Sequence, residues 1–356
     1  MSRQQGQDVS GAHDAGNITV GVVGAGAWGT ALALSAVRAG HEVILWVREP
    51  ELAETMRRKR ENVRYLPGVE LPAAIAPTAA LEDLRDCSLL LLVTPAQATR
   101  AMLRQMQAAG LLAPQRRLLL CAKGLEQGTR ALLSEVVHQE AAQITPLVLS
   151  GPSFAAEVAR NLPAAVTLAA ADIAEAREVA RMLAHRRFRI YSSDDLVGVQ
   201  LGGALKNVLA IACGVVEGMG LGHSARAALL TRAFAEMRRL GRVMGAREET
   251  LSGLSGLGDL MLTATSSQSR NYSLGVALGQ GRSVQEVLGE RITVAEGVFT
   301  AEVVAELAQE HGIDMPVAGS VQRIVCGRSD AATELQRLLA RPLRDETDAP
   351  TGQAAS

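Results

Sequence analysis

Residues 18–47, ITVGVVGAGAWGTALALSAVRAGHEVILWV, restrict the fold more than any other stretch of the chain. A β-branched run from Ile18 to Val23 leads into a glycine turn. An apolar-periodic helical segment follows, Gly40 stops it, and a second apolar run extends from about Glu42 to Val47. The turn carries Gly24, Gly26 and Gly29 in the G-x-G-x-x-G spacing. The first glycine makes a tight turn, the second lets backbone approach a pyrophosphate, and the third lets helix pack on strand. The helix N-terminus then faces the negative charge. Glycine turns also join strands to helices with no ligand, so the reading rests on the strands that flank this one.

The alternation continues through SLLLLVTP (Ser88–Pro95), RLLLCAKG (Arg117–Gly124), PLVLSGPS (Pro146–Ser153) and AAVTLAA (Ala164–Ala170). Continuous apolar strands separated by helical stretches imply a parallel sheet covered on both faces. Ligands of such sheets lie beyond the carboxyl ends of the strands, which places Thr94, Pro95, Lys123, Gly151 and Ser153 at the cofactor edge. The second strand ends on Arg48, followed by Glu49, where an NAD-binding chain would have an acid to hold the ribose hydroxyl. Arg48 suits a 2′-phosphate; the alternative is a side chain in solvent or stacked on the adenine.

Beyond Ser192, Ser193, Asp194 and Asp195, read as a helix N-cap and domain boundary after the strand RFRIY, the pattern is helical. The expected class is α/β: a Rossmann-type doubly wound, mostly parallel sheet over 18–194, an all-helical substrate domain over 195–340, and disordered polar tails at 1–17 and 341–356. In the second half, Lys206 is the only formal charge between Leu196 and Val216. Leu201, Leu205, Val208, Leu209, Ala212 and Val216 mark one apolar helix face, while Gly202, Gly203, Ala210 and Cys213 share the strip of Lys206. A membrane span, a lysine that snorkels to water, and a functional ammonium with a lowered pKa are the three readings open to this run. Further on, LSGLSGLGDLMLTATSSQSRNYSLG, with four glycines, three of them just before Asp259, supplies Ser269, Arg270 and Asn271. That composition suggests a loop fitted around a small polar ligand, with Arg270 as a phosphate clamp; a satisfied surface turn is the alternative for S-R-N alone.

The charge balance, 36 basic against 37 acidic side chains in 356 residues, gives no support to a general nucleic-acid or membrane-surface role. Cys87, Cys121, Cys213 and Cys326 lack C-x-x-C spacing, so free thiols in a reducing cytoplasm are expected rather than a disulfide or zinc frame.

Taken together, VVGAGAWGTALA, RYLPGVELP, CAKGLE, LSGPSFAAEVA, VQLGGALKNVLAIACG, GLSGLGDLMLTATSSQSRN, AEGVFTAEVV and MPV resemble, in order from about residue 18 to 340, the bacterial-type NAD(P)-dependent glycerol-3-phosphate dehydrogenases. The resemblance implies reversible reduction of dihydroxyacetone phosphate to sn-glycerol 3-phosphate with NADPH or NADH and no metal, and Arg48 points to NADP(H) as the preferred coenzyme. It also implies a cytoplasmic homodimer that supplies glycerophospholipid synthesis. It places the general acid/base on Lys206, with Asp259 and Asn207 as its candidate orienters. Substrate contacts fall on Lys123, Gly151, Ser153, Lys206, Asp259, Ser269, Arg270 and Asn271. Cofactor contacts fall on Gly24, Gly26, Trp28, Gly29, Arg48, Lys123, Ala155, Arg270, Val294 and Glu296. Two departures touch finer contacts: TPAQ stands where many relatives have P-S, and Ser224 where Asn is common. A hydroxyacid dehydrogenase of the 6-phosphogluconate type, and a nucleotide-sensing module without chemistry, are the rival readings.

Overall fold

The structure, a computed structural model, describes residues 17–289 and 295–342. Two compact units are present: residues 17–122 with 133–199, and 123–132 with the described residues from 200 onward. The short segment 123–132, which begins at Lys123, thus belongs to the second unit although it lies within the stretch read from sequence as dinucleotide-binding.

The first unit is an eight-stranded sheet with helices. Its strands are β1 (Thr19–Val23), β2 (Glu42–Trp46), β5 (Ile75–Thr78), β6 (Leu89–Leu92), β7 (Arg117–Leu120), β8 (Pro146–Ser150), β9 (Ala164–Ala169) and β10 (Phe188–Ser193), in the order β10-β9-β8-β7-β6-β1-β2-β5. A two-stranded ribbon, β3 (Glu61–Asn62) and β4 (Leu66–Glu70), stands apart from it. The helices of this unit are α1 (Ala27–Arg38), α2 (Pro50–Lys59), α3 (Thr99–Ala108), α4 (Leu133–Glu140), α5 (Ala155–Ala159) and α6 (Ile173–Leu183). The central strands are apolar along their length because both faces are covered: every residue of β6 and β8 is buried. Within the eight-stranded sheet the pairings are parallel except that of β8 with β9, which is antiparallel in the register Val148↔Ala169, and the β3–β4 ribbon is antiparallel as well. The run AAVTLAA could not reveal that reversal, since residue pattern alone does not give a strand's direction.

Chain order reverses between β1 and β6, which pair directly, with β2 on one side and β7 on the other. This is the switch point at which open α/β sheets form a crevice.

The second unit is helical: α7 (Leu196–Gly218), α8 (Gly222–Val243), α9 (Glu248–Ser252), α10 (Asp259–Ala264), α11 (Arg270–Gly279), α12 (Val284–Gly289), α13 (Glu296–Glu310), α14 (Pro316–Val325) and α15 (Ala331–Leu339). Asp195 caps α7, its Oδ1 accepting the Gly198 N–H at 2.8 Å. Ser192 and Ser193, grouped with it from sequence, still belong to β10. From Val199 to Val216 α7 is buried on all sides, not on one face only. Among the described residues it is the one helix long and apolar enough to cross a membrane, and that window is wholly buried in the protein. Its glycines admit backbone: a Cβ at Gly214 would lie 2.1 Å from the Tyr272 carbonyl oxygen, and one at Gly275 2.1 Å from that of Ile211, so α7 and α11 cross in main-chain contact. On the strip of Lys206, a Cβ at Gly202 would meet the Ser255 carbonyl oxygen at 2.6 Å. The small residues beside the lysine thus accommodate the turn that leads to Asp259.

That turn is not the loop its glycines suggest. Leu254–Gly258 is a turn of π-helix, with the Gly258 N–H donating to the Gly253 carbonyl at 3.0 Å, and it runs straight into α10. The glycines serve close packing, as a Cβ at Gly256 would fall 1.9 Å from the Leu251 carbonyl oxygen. The sequence tails at 1–17 and 341–356 lie outside the described residues, apart from Asn17, Arg341 and Pro342.

Candidate functional site

In the first unit, the glycine turn opens at the switch point. Gly24 has φ +116°, and a Cβ there would meet the Val93 carbonyl oxygen at 3.1 Å. At Gly29 a Cβ would overlap the Gly24 carbonyl oxygen at 1.8 Å, which is the close helix-on-strand packing expected of the third glycine. Around Gly26 nothing lies within 4 Å of that position. Gly26 is the N-cap of α1 and brings no side-chain cap, and the first turn carries no acidic residue. The amide end of α1 is therefore open to an anion.

Two buried polar atoms lie near this turn without a hydrogen-bond partner, Trp28 Nε1 and Thr94 Oγ1. A buried donor without a partner costs about 1–3 kcal/mol, which a ligand's polar groups would offset. The glycine cradle and these two atoms fit a dinucleotide.

Asn62, which sequence reasoning missed, holds the turn from the side. Its Nδ2 donates to the Ala25 carbonyl and to Thr30 Oγ1, both at 2.8 Å, while its Oδ1 accepts the Tyr65 N–H at 3.2 Å. A lone Asn before R-Y-L-P-G carries no periodic signal; only its complete burial shows its role.

Arg48 follows β2 with an exposed side chain, paired to Glu49 at 2.7 Å. Such a pair contributes about 0–1 kcal/mol and does not fix the guanidinium. Gly151 has φ +145° and packs on Val166, where a Cβ would meet the Cα at 2.8 Å. Ser153 Oγ donates to the Gly151 carbonyl at 3.1 Å, and Ala155 opens α5.

In the second unit, α7 brings Lys206 to α10, where Asp259 and Thr263 share a face one turn apart. Lys206 Nζ donates to Asp259 Oδ1 at 2.6 Å and to Thr263 Oγ1 at 2.8 Å. The Thr263 hydroxyl in turn donates to Asp259 Oδ1 at 3.3 Å. Lys123 Nζ donates to the other carboxylate oxygen, Oδ2, at 2.6 Å. Asp259 is fully buried and the Lys206 side chain is 9% exposed.

One carboxylate therefore serves two ammonium groups. Burial and then the Lys123 charge push Lys206 down, against Asp259, which raises it; the balance is a pKa of about 8. Asp259 and Thr263 account for two of the three Nζ donors. An ammonium that titrates near 8 and has a proton to give is equipped for acid/base work.

Asn207 does not touch Lys206. Its Nδ2 donates to the Lys123 carbonyl at 3.4 Å, and its Oδ1 accepts from Asn271 Nδ2 at 2.9 Å. Asn271 Oδ1 accepts the Gly297 N–H at 3.1 Å. Ser269 caps α11, its Oγ accepting the Tyr272 N–H at 3.2 Å, and Arg270 is the exposed first residue of that helix. A guanidinium at a helix N-terminus adds its charge to the positive end of the dipole. Glu296 begins α13, and Val294 lies outside the described residues. Thr263, between Lys206 and Asp259, stands in the polar stretch after Asp259 but received no role from the sequence.

The sequence profile described as NAD-dependent glycerol-3-phosphate dehydrogenase N-terminus matches residues 19–176, and the profile for the C-terminus matches residues 195–336. The chain is 54% identical over 328 residues to the glycerol-3-phosphate dehydrogenase [NAD(P)+] of Parvibaculum lavamentivorans, covering 92% of this chain and 98% of that one. It is 54% identical over 328 residues to that of Rhodospirillum rubrum, covering 92% and 93%. Among solved structures, glycerol-3-phosphate dehydrogenase from Coxiella burnetii superposes with a TM-score of 0.87 at 41% identity, covering 91% of this chain and 99% of that one.

Proposed function

The chain belongs to the NAD-dependent glycerol-3-phosphate dehydrogenases and is an NAD(P)-dependent oxidoreductase acting on glycerol 3-phosphate, and from that premise we propose that Lys206 is its general acid/base. The observation that carries this reading is the buried cluster in which Lys206 is held by Asp259 and Thr263 with a pKa of about 8.

When bound, the dinucleotide supplies a hydride to the carbonyl carbon of dihydroxyacetone phosphate. Lys206 gives its free Nζ proton to the oxygen of that carbonyl as it becomes an alkoxide, which yields glycerol 3-phosphate and a neutral amine. In the oxidation direction the neutral amine removes the hydroxyl proton. Asp259 and Thr263 keep Nζ oriented in both charge states, since Thr263 Oγ can accept from the amine while donating to Asp259. Lys123, across Asp259, adds positive charge where the alkoxide develops.

Arg270, at the amino end of α11, grips the substrate phosphate, and Asn271 presents an amide proton beside it. Ser269 acts through the cap that fixes that end of the helix. Gly24, Gly26, Trp28, Gly29 and Ala155 hold the dinucleotide, while Gly151 and Ser153, just past the end of β8, meet the substrate. Lys123, Val294 and Glu296 complete the family's set of contacts.

The finer assignments are that NADPH is preferred through Arg48 and that the protein is a cytoplasmic homodimer supplying glycerophospholipid synthesis. Arg48 supports the first because its exposed pair with Glu49 is weak enough for a 2′-phosphate dianion to displace it. The function is tested by following oxidation of NADH and NADPH in parallel with dihydroxyacetone phosphate. Turnover with both and a lower KM for NADPH are expected. No turnover with either would refute the substrate, and equal KM values the role of Arg48.

A further inference from the structure

Three amide contacts, two buried and the one to the Lys123 carbonyl part-buried, run in one direction through the second unit, and their polarity is fixed at both ends. The Gly297 N–H can only donate, so Asn271 turns its Oδ1 to it; Asn271 Nδ2 then needs an acceptor and finds Asn207 Oδ1. Asn207 Nδ2 is left facing the Lys123 carbonyl, which can only accept. Neither amide can flip without setting donor against donor or acceptor against acceptor. The positions joined are chain neighbours of the proposed site groups: Asn207 follows Lys206, Asn271 follows Arg270, Gly297 follows Glu296, and the carbonyl is that of Lys123 itself.

Packing shows independently that the chain of bonds is built in. A Cβ at Gly297 would fall 2.7 Å from both the Asn207 carbonyl oxygen and Asn271 Oδ1, so the start of α13 reaches the relay only because residue 297 has no side chain. Asn207 and Asn271 are 6% and 8% exposed, and a broken link would leave a buried amide group unsatisfied.

We propose that Asn207 is a positioning residue whose side-chain amide fixes the orientation of the Asn271 amide and the place of the Lys123 main chain, without itself touching substrate. This rests on the site reading above. It assigns Asn207 a task other than orienting Lys206, which Asp259 and Thr263 already do. With Oδ1 occupied by Gly297 and one Nδ2 hydrogen by Asn207, the second Nδ2 hydrogen of Asn271 has a single direction in which to meet a substrate oxygen.

The test is a double-mutant cycle of Asn207→Ala and Asn271→Ala, read on kcat and KM for dihydroxyacetone phosphate below the thermal midpoint of every variant. Each single change should lower kcat/KM for dihydroxyacetone phosphate by roughly tenfold or more. In the Asn207→Ala background, Asn271→Ala should then cost less than about threefold, because the group it removes is already misaligned. An equal fold-loss from Asn271→Ala in both backgrounds overturns the proposal, as does an Asn207→Ala variant with a lowered thermal midpoint and unchanged kinetics.

If the double variant does not fold, Gly297→Ala takes the place of Asn207→Ala in the cycle, with the same outcomes for and against, since residue 297 contributes no side-chain contact of its own. Lys206→Ala is assayed alongside. An inactive Lys206→Ala with an additive cycle condemns the relay alone, while an active one with a coupled cycle condemns the acid/base reading and leaves the relay standing.

Discussion

A lysine set in a 21-residue apolar run is anomalous only until its partners are known. Asp259 and Lys123, 53 and 83 residues away in sequence, turn the anomaly into a titratable group near pH 8. The isolated lysine was legible from sequence because one charge stands out in an apolar helix. Asp259 stood out for the glycines around it, although those glycines build a π-turn rather than a loop. Thr263 was not legible, since threonine in a helix is unremarkable until a lysine and a carboxylate converge on it. Asn207 was assigned the wrong neighbour: adjacency in sequence suggested Lys206, but consecutive helical residues point about 100° apart. A pH dependence follows from the Lys206 pKa. Ketone reduction needs the ammonium, so its kcat/KM should fall as pH rises through about 8, whereas alcohol oxidation needs the amine and should rise over the same interval. Profiles measured in both directions between pH 6 and 10 check this; limbs of the same sign in both directions would remove Lys206 from the proton transfer.

Elements were legible where periodicity or continuous apolarity ran for four residues or more, as in β1, β2, β6, β7, β8 and β9. The ribbon of β3 and β4 escaped because β3 has two residues, and β5 because Pro77 interrupts its run. The ribbon matters out of proportion to its size, since it presents Asn62 to the glycine turn. Asn62→Ala would leave the Ala25 carbonyl without this donor and free the turn to shift. Affinity for NAD(P)H should drop by roughly 1–2 kcal/mol, about five- to thirtyfold. Titration of the coenzyme's fluorescence measures it, and an unchanged Kd would show the turn to be self-supporting.

A second device belongs to the helices α8 and α14. Glu236 is buried on α8 and accepts the Val317 and Ala318 N–H groups at 2.7 and 3.0 Å, thereby capping α14. Burial raises its pKa from about 4.5 to about 7 despite those two bonds, which lower it. The folded protein then holds a proton that the unfolded chain has lost, so stability declines as pH rises from about 4.5 to about 7. A shift of this size is worth about 3 kcal/mol across the interval. Thermal midpoints of wild type and Glu236→Gln at pH 5, 6 and 7 should show the decline in the first and a flatter trend in the second; parallel trends would mean that Glu236 titrates as in solution.

At the scale of the whole molecule, the α/β class and the helical second half follow from where apolar runs give way to helical periodicity. What sequence order hides is that Lys123, just past the end of β7, packs with the helical unit and meets its carboxylate there. The two family profiles, covering 19–176 and 195–336, leave Lys123 within the first and Lys206 within the second. In the proposed reaction this cluster delivers the proton for reduction of dihydroxyacetone phosphate. Lys206→Ala tests it most directly, because Asp259 keeps Lys123 as its partner and no buried carboxylate is stranded. The measurement is single-turnover oxidation of bound NADPH by saturating dihydroxyacetone phosphate, with coenzyme affinity determined on the same sample. Unchanged coenzyme affinity and a chemical step slower by roughly 10²–10⁴-fold are expected; a variant that binds coenzyme normally and turns over within about threefold of wild type would rule out Lys206 as the proton donor.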